Sequence, residues 1–183
     1  MAREHHLPGR LVLVFMLLLV SGAAGAQELY NFTVGALGGI GGSVDVEPGD
    51  GFGNTGGQVN LTMVTEPHTH VGFRIGRLTL DDEESFGTLS EAELTYITLA
   101  GEYRFQERYY ESGVYLGLGG YRLDGQRFGE DEQDTSLGAV LGFTGEFKVN
   151  RWFGVVIELS GHYVDFDEAQ VFGMAHGGLA VHF

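Results

Sequence analysis

A serine and a histidine near the C-terminus form the most suggestive chemical pair in this sequence. Ser160 and His162 stand two positions apart, and the acidic Glu168 follows in the same segment. A hydroxyl activated by an imidazole, which an acid in turn orients, is the arrangement used in nucleophilic catalysis. Residues two apart lie on one face of an extended strand, so Ser160 and His162 share a face with Glu158. Whether Ser160 and His162 act in catalysis or in packing depends on what surrounds that face of the strand.

Histidines and carboxylates are the candidates for metal binding. His68 and His70 flank one residue, which can place two imidazoles on one side of an extended segment, but the sequence places no third ligand beside them. The acidic runs 81–84 and 130–132 offer oxygen ligands of the kind that calcium prefers, yet neither has the spacing of a calcium-binding loop. We therefore expect a polar turn at residues 68–70, solvated acidic surface at the two runs, and neither metal nor cofactor.

Composition excludes several classes of protein. The chain has 183 residues, no cysteine and a net charge of −15. The absence of cysteine excludes disulfide scaffolds and thiolate chemistry, and the acidic balance opposes nucleic-acid binding, which needs a basic surface. Glycine occurs 31 times and proline three times, a combination that favours β-structure with closely approaching backbones.

The N-terminus has the composition of an export signal. Arg3 and Arg10 precede an uninterrupted apolar run at 11–20, and small residues follow at 21–26. This order of basic, apolar and small-residue regions predicts a secretory signal peptide over residues 1–26. The apolar run is too short for a membrane-spanning helix, which needs about 20 residues. The mature domain is then residues 27–183.

Period-two alternation of apolar residues, the sequence pattern of a β-strand, recurs eight times after residue 26. The odd-numbered connections are longer on average and acidic, whereas the even-numbered ones are short turns, as in an up-and-down transmembrane barrel. The predicted strands are residues 29–40, 58–66, 71–80, 93–105, 113–123, 135–148, 152–164 and 170–183. The acidic connections are residues 41–57, 81–92, 124–134 and 165–169.

The two faces of the predicted strands differ in a way that fits a membrane barrel. In segment 135–148, one face carries Leu141 and Phe143, while the other is rich in small and polar residues. Small polar side chains suit a narrow interior better than a solvated exterior, so we expect the apolar face to meet lipid. The apolar faces end in aromatic residues near the short turns, like the girdles of membrane barrels. These residues are Phe105, Phe147, Phe153 and Phe183.

The last predicted strand is the most specific feature. Leu179, Val181 and Phe183 share one apolar face. With the eight amphipathic strands and glycine-rich stretches such as 117–121, this strand makes the sequence resemble the small outer-membrane β-barrels of Gram-negative bacteria, the group of opacity proteins and of the outer-membrane protein A barrel. The resemblance covers residues 27–183. It implies an all-β, eight-stranded antiparallel barrel in the bacterial outer membrane, with Leu179, Val181 and Phe183 as the signal read by the barrel-assembly machinery.

The resemblance leaves the function open, because barrels of this size serve as adhesins, structural anchors, narrow pores and enzymes. A structural or surface-interaction protein is the main expectation, with a narrow pore or a soluble ligand-binding barrel as alternatives. Some barrels of this size resemble lipid A deacylases, but the His-x-Ser-Asn run of that family is absent, and His162 begins a different run, His-Tyr-Val-Asp. We therefore expect that the protein is not an enzyme.

Lipid and lipopolysaccharide are the expected partners of such a barrel. Arg77 and Arg122 lie near the outer ends of their strands, where they can meet lipopolysaccharide phosphates or pair with neighbouring acidic residues. The acidic loops can share divalent cations with the same phosphates. The sequence identifies no host or surface partner.

Charged residues on the inner faces predict a polar network inside the barrel. Eight strands enclose a space that side chains nearly fill, so buried charges should pair. The hairpin over the second long loop should place Arg74 opposite Ala100 and diagonal to Glu102. The last hairpin should place Glu158 opposite His176, close enough for an ion pair. The predicted interior residues are Arg74, Glu102, Arg104, Glu146, Lys148, Glu158, His162 and His176.

Overall fold

Eight β-strands make up the described part of the molecule in this computed structural model. The structure describes residues 32–44, 53–80, 89–107, 109–127, 130–166 and 169–183. The predicted signal peptide, residues 1–26, lies outside these ranges. Within them, the chain forms no apolar helix of membrane-spanning length. The strands are β1 (Phe32–Ser43), β2 (Asn54–Glu66), β3 (Thr69–Leu80), β4 (Leu89–Gln106), β5 (Tyr110–Arg127), β6 (Glu130–Lys148), β7 (Phe153–Asp165) and β8 (Ala169–His182).

The strands close into a barrel in chain order. Each strand pairs antiparallel with the next, and β1 also pairs with β8, with Val34 opposite Val181. This closure confirms the eight-stranded antiparallel barrel predicted from the alternating pattern. The short turns after β2, β4 and β6 lie at one end, here called the turn end, where β1 starts and β8 finishes. The connections after the odd-numbered strands lie at the opposite end, here called the loop end.

Side chains along each strand alternate between the exterior and the interior of the barrel. In β7, Ile157 and Leu159 are exposed, while Glu158 between them is buried. On neighbouring strands, Leu118 is 72% exposed and Leu137 is 78% exposed. Large apolar patches of this kind are not left in contact with water in soluble monomers. The exterior is therefore suited to lipid, which argues against the soluble-barrel alternative.

Aromatic side chains gather on the exterior near the turn end. The four aromatic residues predicted from the sequence, Phe105, Phe147, Phe153 and Phe183, are all exposed, and Trp152 joins them. Girdles of aromatic residues flank the apolar band of membrane barrels at the border between hydrocarbon and water. Their position indicates where the membrane-facing band ends on this side.

The interior has two layers of different chemistry. Charged and polar side chains fill the half nearest the turn end, here called the polar layer. Toward the loop end, apolar and aromatic side chains pack into one buried cluster, here called the apolar layer, which the sequence analysis did not anticipate. Its members are Leu78, Leu80, Ala92, Leu94, Tyr96, Tyr121, Leu123, Val164, Phe166, Phe172 and Met174.

Five strands extend several residues farther toward the loop end than the sequence predicts. β1 ends at Ser43 and β2 begins at Asn54. β4 begins at Leu89, β5 runs to Arg127 and β6 begins at Glu130. The predicted acidic connection 124–134 is therefore mostly paired strand rather than loop. Hydrophobic alternation ends where strands leave the apolar band, but backbone hydrogen bonds continue to pair strands whose side chains are polar. Of the other predicted acidic connections, residues 45–52, 81–88 and 167–168 lie outside the described residues, while residues 41–43 and 54–57 belong to β1 and β2.

Candidate functional site in the barrel interior

The polar layer is built from charged side chains that the two-residue period of the strands turns inward. Seven of the eight interior residues predicted from the sequence are less than 8% exposed. The eighth, Lys148, lies at the turn end with a side chain that is 37% exposed. Buried charges need partners, and both buried guanidinium groups, Arg74 and Arg104, contact at least two carboxylates.

Glu158 of β7 lies at the centre of the polar layer and accepts four hydrogen bonds. Its Oε1 accepts from Gln58 Nε2 and from the Tyr115 hydroxyl, each at 2.8 Å. Its Oε2 accepts from Asn60 Nδ2 and from Arg74 Nε, each at 3.3 Å. Several donors on one carboxylate replace the water that the charge loses on burial. Glu158 thus connects β2, β3 and β5 across the barrel.

Arg74 of β3 links two carboxylates on different strands. Its Nη2 donates to Glu102 Oε2 at 2.9 Å, and its Nε reaches Glu158. The guanidinium carbon also lies 3.6 Å from the centre of the Tyr115 ring, in a cation–π contact. The predicted register is wrong by two residues, because Arg74 lies opposite Thr98 rather than Ala100. The long side chain still spans the greater offset to Glu102.

Arg104 of β4 extends the chain of ion pairs to the turn end. Its Nε donates to Glu102 Oε1 at 2.6 Å, and its Nη1 lies 3.3 Å from Glu146 and 3.4 Å from Glu111. Lys148 also pairs with Glu111, and His182 Nε2 lies 2.5 Å from Glu146 Oε1. Charged groups from β3 to β7, with His182 of β8, therefore join into one connected network.

His176 of β8 lies where the sequence predicts but does not make the predicted contact. It is opposite Glu158 in the β7–β8 register, as expected. Both of its ring nitrogens are buried without a hydrogen-bond partner, and no salt bridge joins the pair among the described residues. The carboxylate of Glu158 is instead directed to Arg74 and the donors around it, which satisfy its charge.

Comparison with known proteins finds similarity in fold but not in sequence. No protein-family model matches the sequence, and no curated protein matches it. Neisserial surface protein A matches with a TM-score of 0.65 and 14% identity, over 84% of this chain and 97% of that chain. The N-terminal β-barrel domain of Pseudomonas aeruginosa OprF matches with a TM-score of 0.64 and 12% identity, over 86% of this chain and 100% of that chain.

A third match is Ail, the attachment invasion locus protein of Yersinia pestis. Its TM-score is 0.55 and its identity 16%, over 85% of this chain and 100% of that chain. The chain has the fold of the small outer-membrane β-barrels. Identities this low define the fold alone. Together with the apolar exterior and the aromatic residues at its border, this fold places the protein in the bacterial outer membrane.

The serine–histidine pair of this outer-membrane barrel lies in its interior. His162 Nε2 is 2.9 Å from Ser160 Oγ, and His162 Nδ1 is 2.9 Å from the Tyr121 hydroxyl. Both residues are buried, His162 to 1% exposure. Glu168 lies outside the described residues. The pair therefore has the contact distance of a nucleophile and base, but it faces away from the lipid that surrounds the barrel.

The side chains of the two histidines at the first short turn of the barrel point in different directions. His68 is exposed, and its Nδ1 lies 3.0 Å from the Arg104 carbonyl oxygen. His70 turns into the interior, where both ring nitrogens lack a hydrogen-bond partner. Within the described ranges, no group of three or more histidine, cysteine, aspartate or glutamate side chains is arranged to hold a metal ion.

Several residues of the polar layer were missed by sequence reasoning. Glu111 was assigned to a turn, whereas β5 already includes it. His182 has the same strand parity as His176, so parity alone could have placed it inside. Two buried tyrosines that also face inward were missed, Tyr115 in the polar layer and Tyr121 in the apolar layer, and their alternation with outward-facing residues was the available signal.

Proposed function

We propose that the protein is a surface-exposed outer-membrane barrel with a structural or interaction role and a closed interior. In this proposal the turn end, where β1 starts and β8 finishes, faces the periplasm, and the loop end faces the outside of the cell. That orientation follows the general design of these barrels, in which short turns are periplasmic and longer connections extracellular.

The observation that carries this proposal is the filling of the interior by two different layers. The ion pairs of Arg74 and Arg104 cross the polar layer. A small cavity remains beside them, lined in part by Thr33, Asn60 and Thr144. On the loop-end side, the apolar layer includes Leu94 and Phe172, which are fully buried. Ions that entered the polar layer would still meet a packed, mainly apolar layer, which offers few polar groups to replace their hydration shell.

Lipopolysaccharide is the partner proposed for the outer surface near the loop end. Arg77 and Arg122 face outward on β3 and β5, and each lies opposite Thr95 of β4 in the sheet register. Arg77 is 3.4 Å from Glu93, and Arg122 is 2.7 Å from Asp124. Exposed pairs of this kind are weak, so phosphate groups or bridging divalent cations can compete for them. Arg77, Thr95 and Arg122 lie side by side across β3, β4 and β5, and we take their level as the border of the apolar band at the loop end.

The ligand of one relative is not carried over to this chain. Ail has been crystallised with the heparin analogue sucrose octasulfate, a polyanion. Binding a polyanion requires an excess of basic surface, whereas this chain has a net charge of −15.

An enzymatic role is not part of the proposal. Ser160 and His162 lie inside the barrel, whereas the acyl chains of lipid A lie against its exterior. His162 is also held by Tyr121 at 2.9 Å, which gives the pair a place in the interior packing. We therefore assign Ser160 and His162 a structural role.

Planar-bilayer recording tests the closed interior. The mature protein, refolded from denaturant into detergent and then reconstituted, should show no stable open channel at neutral pH. It should also require detergent or lipid to remain in solution and migrate differently in SDS before and after heating. Stable, uniform channels in the native protein would contradict the proposal and favour the narrow-pore alternative.

A further inference from the structure

The short turn between β6 and β7 is held in one shape by hydrogen bonds. Asn150 Oδ1 accepts from the backbone N–H groups of Trp152 at 2.8 Å and of Phe153 at 3.0 Å, a local contact typical of asparagine in turns. The Phe153 carbonyl oxygen accepts from Asn150 N at 3.1 Å, and the Trp152 carbonyl oxygen accepts from His182 N of β8 at 2.9 Å. The backbone that carries Arg151 is therefore fixed on both sides.

Arg151 differs from the other basic residues in its contacts. Its side chain is exposed, and its guanidinium carbon lies 4.8 Å from the centre of the Trp152 ring. Among the lysines and arginines whose side chains the structure describes, Arg151 is the one that pairs with no carboxylate. The others, all in ion pairs, are Arg74, Arg77, Arg104, Arg122 and Lys148. The N–H donors of Arg151 are thus available to an anion from outside the protein.

Trp152 places this guanidinium at the border of the membrane. The ring is 48% exposed and belongs to the aromatic residues at the turn end, next to Phe153. Aromatic girdles of this kind mark the level at which hydrocarbon gives way to polar headgroups. An arginine at that level meets the phosphate groups of lipids, whose oxygens match the forked geometry of a guanidinium.

The local charge selects the class of lipid. Residues 148–152 contain two basic residues and no acidic residue, although the whole chain has a net charge of −15. The charge of Lys148 is matched by Glu111, so that of Arg151 remains in excess. A zwitterionic lipid brings a cationic group of its own beside the phosphate, whereas an anionic lipid does not. The turn therefore favours an anionic lipid.

We propose that Arg151 and Trp152 form a binding site for the phosphate of an anionic phospholipid such as phosphatidylglycerol. The guanidinium donates to the phosphate oxygens, and the indole ring packs beside the lipid just below its headgroup. The site goes beyond the proposed function and rests on it for one point, the orientation that puts the turn end in the periplasmic leaflet. It gives that leaflet a specific lipid contact, in addition to the lipopolysaccharide contact proposed at the loop end.

The chain carries its own reporter for this site, because Trp152 is its single tryptophan. The barrel is reconstituted in phosphatidylcholine vesicles that contain a small fraction of brominated phosphatidylglycerol or the same fraction of brominated phosphatidylcholine. Bromine quenches the fluorescence of a ring that it touches. We expect phosphatidylglycerol to be enriched beside Trp152 by about two- to fivefold. Equal quenching by the two lipids overturns the proposal.

A soluble competitor separates a lipid site from a site for free phosphate. Glycerol phosphate, which has the phosphate but no acyl chains, should not displace brominated phosphatidylglycerol when added at the same concentration. Displacement at that concentration would assign the site to free phosphate and would overturn the lipid assignment.

Variants locate the preference at the turn. Arg151→Gln removes the charge from an exposed position and should make quenching by the two lipids equal. Arg77→Gln removes an exposed charge at the loop end and should leave the preference intact. Because the preference is a ratio between two lipids in the same variant, a small movement of the Trp152 ring affects both lipids alike. A preference that survives Arg151→Gln contradicts the assignment.

The result is separable from that of the proposed function. Both leaflets of the vesicles contain the brominated lipid, so the measurement does not depend on which end of the barrel faces the periplasm. Stable channels, or a loop end that faces the periplasm in cells, would overturn the proposed function and leave the lipid preference standing. Equal quenching in a closed, correctly oriented barrel would overturn the lipid site alone.

Discussion

Glu158 shows how this barrel tolerates charge in its interior. The residue is 1% exposed, and an ionised carboxylate without partners would be very costly there. Four donors compensate, and the nearest, Gln58 and the Tyr115 hydroxyl, lie at 2.8 Å. The loss of Glu158 would leave Arg74 with Glu102 as its one remaining carboxylate among the described residues and would remove the acceptor of three other donors at once.

The variant Glu158→Gln should therefore be strongly destabilising although it conserves shape. Removing one partner of a buried ion pair typically costs about 3–5 kcal/mol in the free energy of unfolding. The measurement is urea unfolding of the barrel in lipid vesicles. The control is Glu93→Gln, which breaks the exposed pair with Arg77 and should cost about 0–1 kcal/mol. Equal losses in the two variants would show that Arg74 does not depend on Glu158.

Strand parity was sufficient to predict which charged residues face inward, but not which of them pair. His176 lies opposite Glu158 as predicted, yet the carboxylate is bonded to Arg74. Pairing depends on how far each side chain reaches across the barrel and on competing donors, neither of which is encoded in the spacing of residues. Arg74 reaches Glu102 for the same reason, despite a register different from the predicted one.

At the scale of the strands, inward-facing tyrosines lie over glycines on the neighbouring strand. Tyr115 of β5 is opposite Gly142 of β6, and Tyr96 of β4 is opposite Gly76 of β3. A side-chain carbon added at either glycine would overlap the phenol ring beside it. These glycines are part of the inner packing surface, which explains some of the unusual glycine content of the chain.

Gly142→Ala should destabilise the barrel because Tyr115 has to leave its position between Arg74 and Glu158. Overpacking of this kind costs about 1–3 kcal/mol. The matched control is Gly101→Ala, an outward-facing strand position with nothing within 4 Å of the added carbon. Thermal unfolding followed by loss of the SDS-resistant form gives both values. A Gly101→Ala variant as unstable as Gly142→Ala would contradict the packing explanation.

The end of β8 is expected to act during assembly more than in the finished barrel. Phe183 is 63% exposed, and its N–H donates to the Phe32 carbonyl oxygen at 2.8 Å, a bond that does not need the aromatic ring. Phe183→Ala should lower the fraction of protein assembled in the outer membrane of cells, with little effect on refolding into detergent. Phe153→Ala removes an equally lipid-facing ring on the adjacent strand and is the control. Equal assembly of both variants would exclude Leu179, Val181 and Phe183 as a special signal.

The existence and order of all eight strands were predictable, whereas the extent of β1, β2, β4, β5 and β6 toward the loop end was not. Apolar alternation identifies the part of a strand with lipid on one face and the barrel interior on the other. At residues such as Gln126 and Gln133, both beyond the apolar band and both exposed, this contrast disappears. Backbone pairing then continues without a signal in the hydrophobic pattern.

At the scale of the whole molecule, the two interior layers close the barrel by different physical means. The polar layer is closed by ion pairs that span it, and the apolar layer by packing of side chains such as Phe172 and Leu94. An apolar layer blocks ions because they cannot shed their water there. If the two layers close the barrel independently, removing either layer alone should leave the barrel closed.

Conductance measurements on layer-specific variants test this prediction. Arg74→Ala with Glu158→Ala removes the central ion pair, and Leu94→Ala with Phe172→Ala opens the apolar layer. Each double variant should remain closed in planar bilayers, because the other layer still lacks a hydrated path, while the quadruple variant should conduct. Leu116→Ala with Leu118→Ala removes comparable apolar volume from the lipid-facing side, where both residues are exposed, and should stay closed. Stable channels from the Arg74–Glu158 double variant alone would show that the apolar layer is no barrier to ions.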